Sequence, residues 1–165
     1  MSISGTTTDY TDRQLDLELL QSIAIPAGSQ AVSVSTALKP PKVVAGVEKV
    51  VQRYTLLFLT TVGDMIYDRE QGTNFISAVM RGNIHDRAGL QTYFAASNDA
   101  VLAQMASDDA KTDVYGAMPL DEQIDSAQLL DFDIDFGTAT VKLSVEITTK
   151  AGTSIEFVVP ATTIG

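Results

Sequence analysis

The chain has no cysteine and no tryptophan, a single histidine, and eleven Lys and Arg against twenty-one Asp and Glu. Each shortage excludes a kind of chemistry. Without cysteine there is no disulfide framework, thiolate metal site or thiol nucleophile, and the composition suits a reducing compartment. One histidine, His85, is too few for a three-histidine zinc centre, and no Gly-x-Ser-x-Gly elbow supplies a nucleophile for a Ser–His pair. Beside Asp86 it fits the start of a helix better. A formal charge of −10 argues against sequence-independent nucleic-acid binding, which needs clustered Lys and Arg. The most basic stretch, "KPPKVVAGVEK", holds three lysines. Apolar runs such as "LLFL" fall far short of the ~20 residues that span a bilayer. The leading "MSISGTTTDYTDRQ" has no hydrophobic signal region. The expectation is a soluble protein made in the cytoplasm.

What is present suits one domain. A chain of 165 residues, 45% hydrophobic, buries roughly 70% of its unfolded surface on folding. Residues 1–14 read as a flexible polar arm, and 15–165 as a single α+β domain. In "QLDLELL", Leu15, Leu17 and Leu19 alternate with acids, a strand period; "IAIPAGSQAVSVS" supplies another strand beyond a turn at Pro26–Gly28. Pro40 and Pro41 then suit the first turn of a helix predicted over 41–62. Its stripe is Val43, Val47, Val50, Val51, Tyr54, Leu57 and Phe58, and Gly63 stands where a left-handed residue would stop it. A short helix over 74–81 follows, with Thr73 as its cap, Phe75, Ile76, Val79 and Met80 on one face, and Gly82 at its end. A third starts after Asp86 and runs to about Ser107, on a stripe of Leu90, Phe94, Val101 and Met105 with Tyr93 beside it.

The C-terminal third alternates most regularly. Leu130, Phe132, Ile134 and Phe136 face one way, and Asp131, Asp133 and Asp135 the other. A two-residue turn at Gly137-Thr138 sets Ile134 opposite Val141, Phe132 opposite Leu143, Leu130 opposite Val145 and Asp133 opposite Lys142. A three-residue turn ending in Gly152 sets Ile147 opposite Ile155, Val145 opposite Phe157 and Leu143 opposite Val159. Both turns put apolar residues on the same face. The prediction is a three-stranded antiparallel meander over 128–159, with amphipathic helices packed on a small antiparallel sheet.

Candidate sites are few. Asp131, Asp133 and Asp135 invite a calcium loop, yet Gly137 falls one place late and Lys142 stands where the closing Glu belongs; a solvated strand face explains them better. Phage-type muramidases carry an acid, then Asp nine residues on, then Thr six further. Glu48 and Glu70 meet Leu57 and Val79 at the first step, and Glu122 meets Asp131 but then Gly137. Asp64, Asp68, Arg69 and Glu70 sit between Gly63 and Gly72, in a turn whose glycines suggest exposure. Catalysts there would need burial to tune them. A solvated turn with weak local ion pairs, or a turn that a partner reads, fits better. No catalytic, cofactor or metal residue is assigned.

The order of elements, with Gln52, Leu56–Leu57, Thr60–Thr61, Gly63, Asp64, Tyr67, Asp68, Gly72 and Thr73, resembles the baseplate wedge and sheath-initiator proteins of contractile-tailed bacteriophages, a lysozyme-like baseplate family with relatives in type VI secretion. The likeness covers about residues 45–160. The turn lacks the proline that the family often carries. Asp121-Glu122-Gln123-Ile124 stands where the family has Glu-Pro-Arg-Leu. The resemblance implies a non-enzymatic virion protein of the tail baseplate, assembled in the host cytoplasm and present in six copies per tail. Its implied partners are larger wedge subunits and the tail sheath protein, with hub or tail-tube proteins as further candidates, and neither nucleic acid nor membrane. Gly63, Asp64, Tyr67, Asp68, Arg69 and Gly72 become the candidate wedge contact. Phe157 and Val159, on the meander, are the candidate contact for added strands. The alternative is a tail-associated muramidase or other glycoside hydrolase, and a binding module unrelated to phage stays open as a third reading.

Overall fold

The computed structural model describes residues 16–17, 20–24, 30–34, 43–65, 68–110, 117–135 and 140–162. The strands are β1 (Asp16–Leu17), β2 (Leu20–Ala24), β3 (Gln30–Val34), β4 (Val43–Val44), β5 (Ile124–Asp135), β6 (Thr140–Thr149) and β7 (Ser154–Thr162). The helices are α1 (Val47–Leu59), α2 (Phe75–Met80) and α3 (Arg87–Asp109). The arm at 1–14, the prolines at 40 and 41, the turns at 26–28 and 136–139, and Tyr67 lie outside the described residues.

Strict alternation carries β5, β6 and β7 into the expected antiparallel meander. Ile134 faces Val141, Phe132 faces Leu143, Val145 faces Phe157, and Ile147 faces Ile155. Gly152, at a φ of 82°, supplies the left-handed residue of the β6–β7 turn, whose backbone closes through Gly152 N–H to the Thr149 carbonyl at 2.8 Å. One pairing differs from expectation. A bulge between Leu129 and Asp131 sets Leu129, not Leu130, opposite Val145 and leaves Leu130 49% exposed. The apolar phase of β5 slips there, which the Leu129-Leu130 doublet accommodates. A second irregularity between Ile124 and Ser126 lets both Ile124 and Ala127 face inward.

The sheet is larger than the meander. Its order is β2-β3-β7-β6-β5, with β2 and β3 antiparallel and β3 joined to β7 in parallel at Ala31 and Val158. Strand β7 is therefore interior, and β5 closes one side. A separate pair, β1 with β4, sets Asp16 opposite Val44 and Leu17 opposite Val43.

The helices cover one face of this sheet, giving an α+β fold. Helix α1 starts at Val47, not at Pro41: β-branched Val43 and Val44 are extended, and Gly46, at a φ of 62°, turns the chain into the helix. It stops at Leu59, because Thr60 adopts an extended backbone while its hydroxyl donates to the Leu56 carbonyl at 2.6 Å. Helix α3 follows its signals closely, with the Asp86 carboxylate accepting from the Gly89 N–H at 2.6 Å. Its stripe of Leu90, Phe94, Val101 and Met105 is buried. Phe58 lies at the centre of the core. It stacks on Tyr54 and meets Phe75 of α2 and Phe94 of α3 at centroid distances of 4.9 and 5.4 Å, while Tyr54 meets Phe157 of β7 edge-on. Met80, expected on the apolar face of α2, is 61% exposed; Ala78 takes the buried place instead.

Polar groups tie the layers. The buried Glu122 pairs with Lys49 at 3.1 Å and accepts from the Gly46 N–H at 3.3 Å, at the positive end of α1. Arg53, one turn along, meets the buried Asp109 at 2.9 Å at the end of α3. Tyr54 donates to Asn98 at 2.7 Å, and Asn98 donates to the Ala127 carbonyl at 3.2 Å. Burial holds the Tyr54 phenol well above its ordinary range.

Candidate functional site

The loop between α1 and α2 is built from its neck outward. Thr60 leaves the helix, and its carbonyl accepts from the Thr73 N–H at 2.7 Å; the Thr73 carbonyl accepts from Val62 N–H at 3.1 Å. Thr61 and Thr73 thus form a parallel bridge. The Thr73 hydroxyl donates to the Phe58 carbonyl at 2.7 Å and accepts from the Phe75 N–H at 3.3 Å. One hydroxyl therefore serves the last turn of α1 and the first of α2. Asn74, not the expected Thr73, holds the N-cap position, without a side-chain cap bond, and Thr73 acts instead as a splice between helices. Gly72, buried with a φ of 106°, packs so closely that a Cβ would lie 2.5 Å from the Thr60 carbonyl oxygen. The Gln104 side chain of α3 grips it from both sides, accepting from Gly72 N–H at 3.0 Å and donating to its carbonyl at 3.1 Å.

Beyond the neck the loop folds on itself. Gly63, at a φ of 97°, donates its N–H to the Arg69 carbonyl at 3.1 Å. Asp68 accepts from the Glu70 N–H at 3.3 Å and from the Gln71 side chain at 2.9 Å, an Asx-type turn. Gly63, Asp64, Asp68, Arg69 and Glu70 are exposed, and Val62 and Met65 are 41% and 42% exposed beside them. A cleft of about 170 Å³ opens at the loop base, lined by Asp68, Glu70, Gln71, Gln104, Ser107 and Asp108.

Of the residues singled out in the sequence, Gly63, Asp64, Asp68 and Arg69 thus come together on one exposed loop. Gly72 belongs to its buried neck and acts through shape, not contact. Phe157 and Val159 require a correction: they are 1% and 0% exposed, because β7 lies between β6 and β3 and their side chains point under the helices. Their side chains offer nothing to a partner. The edge of the meander lies instead at β5, where no strand among the described residues pairs with the outer side. Next to that edge Arg87 stacks on Phe132, its guanidinium 4.5 Å from the ring centroid. These two, with Asp86, Asp133 and Ile134, line a groove of about 420 Å³.

Sequence reasoning missed Gln104, a polar residue between Val101 and Met105 with no motif to mark it. Gln123, in the place of the arginine that the resemblance leads one to expect, is occupied within the chain. It donates to the Met118 carbonyl at 2.6 Å and accepts from Lys150 at 2.9 Å, fastening the segment before β5 to the β6–β7 turn. No protein-family model, curated protein or solved structure matches the chain.

Proposed function

We propose that the chain is a structural, non-catalytic component of a contractile-tail baseplate, joining larger wedge subunits to the first ring of the tail sheath. The observation that carries this reading is the fastening of the α1–α2 loop through its described residues, 60–65 and 68–73. Backbone bonds at its neck, the Thr73 splice and the Gln104 grip hold it at a set angle between two helices. A surface ordered before binding loses less freedom on docking than a mobile one, so such a loop suits a permanent joint. Asp64, Asp68 and Arg69 would meet the wedge, with Val62 and Met65 as apolar contacts between them. The unpaired side of β5 offers a second attachment, by strand addition from the sheath. The order of elements and the pattern from Gln52 to Thr73 support the same assignment. In this reading the protein is a virion component, present in six copies per tail.

The reading is tested by complementing tail assembly with Gly63→Val and Asp68→Ala variants. Gly63→Val strains a left-handed position with open space around it, and Asp68→Ala removes the two bonds that shape the turn. The expected result is folded protein that fails to yield sheathed baseplates. Assembly as efficient as wild type would remove the loop from the joint. Purified protein is also expected to leave peptidoglycan suspensions turbid, and clear turnover would replace this reading with a hydrolase.

A further inference from the structure

We propose that the outer edge of β5 from Asp131 to Asp135 takes an extended segment of a partner protein in which apolar residues alternate with Lys or Arg. This rests on the docking role above and adds the chemistry that selects what docks.

Three observations converge on this stretch. Past the bulge the register with β6 is regular, from Asp131 opposite Ser144 to Asp135 opposite Thr140, so the edge is straight enough to template a ladder. The inner face of the sheet is unevenly filled there. Leu143 and Val141 on β6 are 0% and 3% exposed, while their partners Phe132 and Ile134 on β5 are only half-buried. The groove that those two side chains line together with Asp133, Arg87 of α3 and its cap Asp86 is open. A strand added about 4.8 Å beyond β5 would carry every second side chain over this groove. Apolar side chains there would complete the burial of Phe132 and Ile134, with the Arg87–Phe132 stack as one wall.

The other face sets the charge. Asp131 and Asp133 are both exposed on the outer side of β5, and Lys142 stands opposite only the second of them. Neighbouring positions on an added strand would face these carboxylates, where opposite charges stabilise and like charges destabilise. Acids and a bulge are also how a sheet edge resists indiscriminate pairing. Here they would turn that resistance into selectivity for a cationic strand. A second copy is excluded by the same logic, since antiparallel pairing of two β5 edges would bring Asp against Asp. The chain's own alternating segment, "LDLEL", is acidic as well.

The test measures binding of three synthetic seven-residue peptides to the full chain at low salt. One alternates Lys and Val, one alternates Glu and Val, and the third is the Lys/Val peptide with its backbone nitrogens methylated. The Lys/Val peptide is expected to bind at least about tenfold more tightly than the Glu/Val peptide. Methylation, which removes the ladder but keeps the charge, is expected to abolish binding. The double variant Asp131→Lys/Asp133→Lys, altered only at exposed positions and checked for an unchanged melting curve, is expected to reverse the preference. Equal binding of the two parent peptides would overturn the charge rule, and undiminished binding of the methylated peptide would overturn strand addition. Dimerisation of the chain, abolished by the same double variant, would overturn it by assigning the edge to a second copy. The baseplate assignment is tested separately, through the loop variants and tail assembly, so either can fail alone.

Discussion

Gly63 and Gly72 have similar left-handed backbones, at φ of 97° and 106°, but substituting them should cost different amounts. At Gly63 an added Cβ meets nothing within 4 Å, so Gly63→Ala carries only the conformational penalty, about 1–2 kcal/mol. At Gly72 the Cβ would also strike the Thr60 carbonyl oxygen, and the neck must open to admit it. Gly72→Ala is expected to cost about 3 kcal/mol or more in urea unfolding, clearly above Gly63→Ala. Tyr54 supplies a pH test. Its phenol is buried and protonated in the folded chain, whereas the unfolded chain ionises it near its ordinary value of 10.0. The folded state then binds the extra proton, so this group's contribution is intact below pH 10.0 and declines as pH rises above it. Tyr54→Phe is expected to cost about 1–2 kcal/mol at neutral pH, where it leaves Asn98 without its donor. That deficit should shrink in unfolding curves taken above pH 10.0. At this scale the sequence was readable where a motif is local. Asp86 precedes an apolar run and serves as a cap, whereas Thr73 stands one place before the N-cap of α2. Gln104 and the Lys49–Glu122 and Arg53–Asp109 pairs depend on partners far along the chain, and no spacing rule finds them.

Among the elements, turn chemistry proved the most informative signal. Gly152 set the β6–β7 register throughout, because a residue that tolerates positive φ can close a three-residue loop without strain. The β5–β6 register held only as far as the bulge, since alternation alone does not show where an extra residue is absorbed. The start of α1 was misplaced for a related reason: valines at helical spacing also suit a strand, and pairing of Val43 with Leu17 decides between them. Two variants test how the elements are fastened. Glu122→Ala would remove the buried carboxylate that Lys49 and the Gly46 N–H share. A loss of about 3 kcal/mol is expected by chemical denaturation. Gln104→Ala should act locally. Exchange of the Gly72 amide is expected to speed up about tenfold or more, while amides in the middle of α1 keep their protection. Equal acceleration in both places would mean that Gln104 supports the whole fold and not the loop.

For the molecule as a whole, the uneven covering of the sheet matters most. Helices seal β6 and β7, and β3 pairs along β7; among the described residues the sheet ends at β2 on one side and at β5 on the other, so the margin of the meander itself is the side of β5 away from β6. The loop through Gly63 lies on a different part of the chain, held by α3 through Gln104. Under the proposed function, these two features on one fold would serve a connector between unlike neighbours. The α+β class and the meander were legible in the amino-acid order because alternation and turn residues are local. The available edge was not, because it depends on which strand β3 joins. Phe157 and Val159 looked like an accessible margin until the parallel pairing at Val158 made β7 interior.

The most direct test of the proposed function is an electron-microscopy map of contractile tails assembled in cells that express this chain. The expected result is this domain at the junction of baseplate and sheath, with density for a foreign strand continuing the sheet beyond β5 and the Gly63–Arg69 loop seated on a wedge subunit. A tail without the domain, or with β5 bare and the loop in solvent, would contradict it.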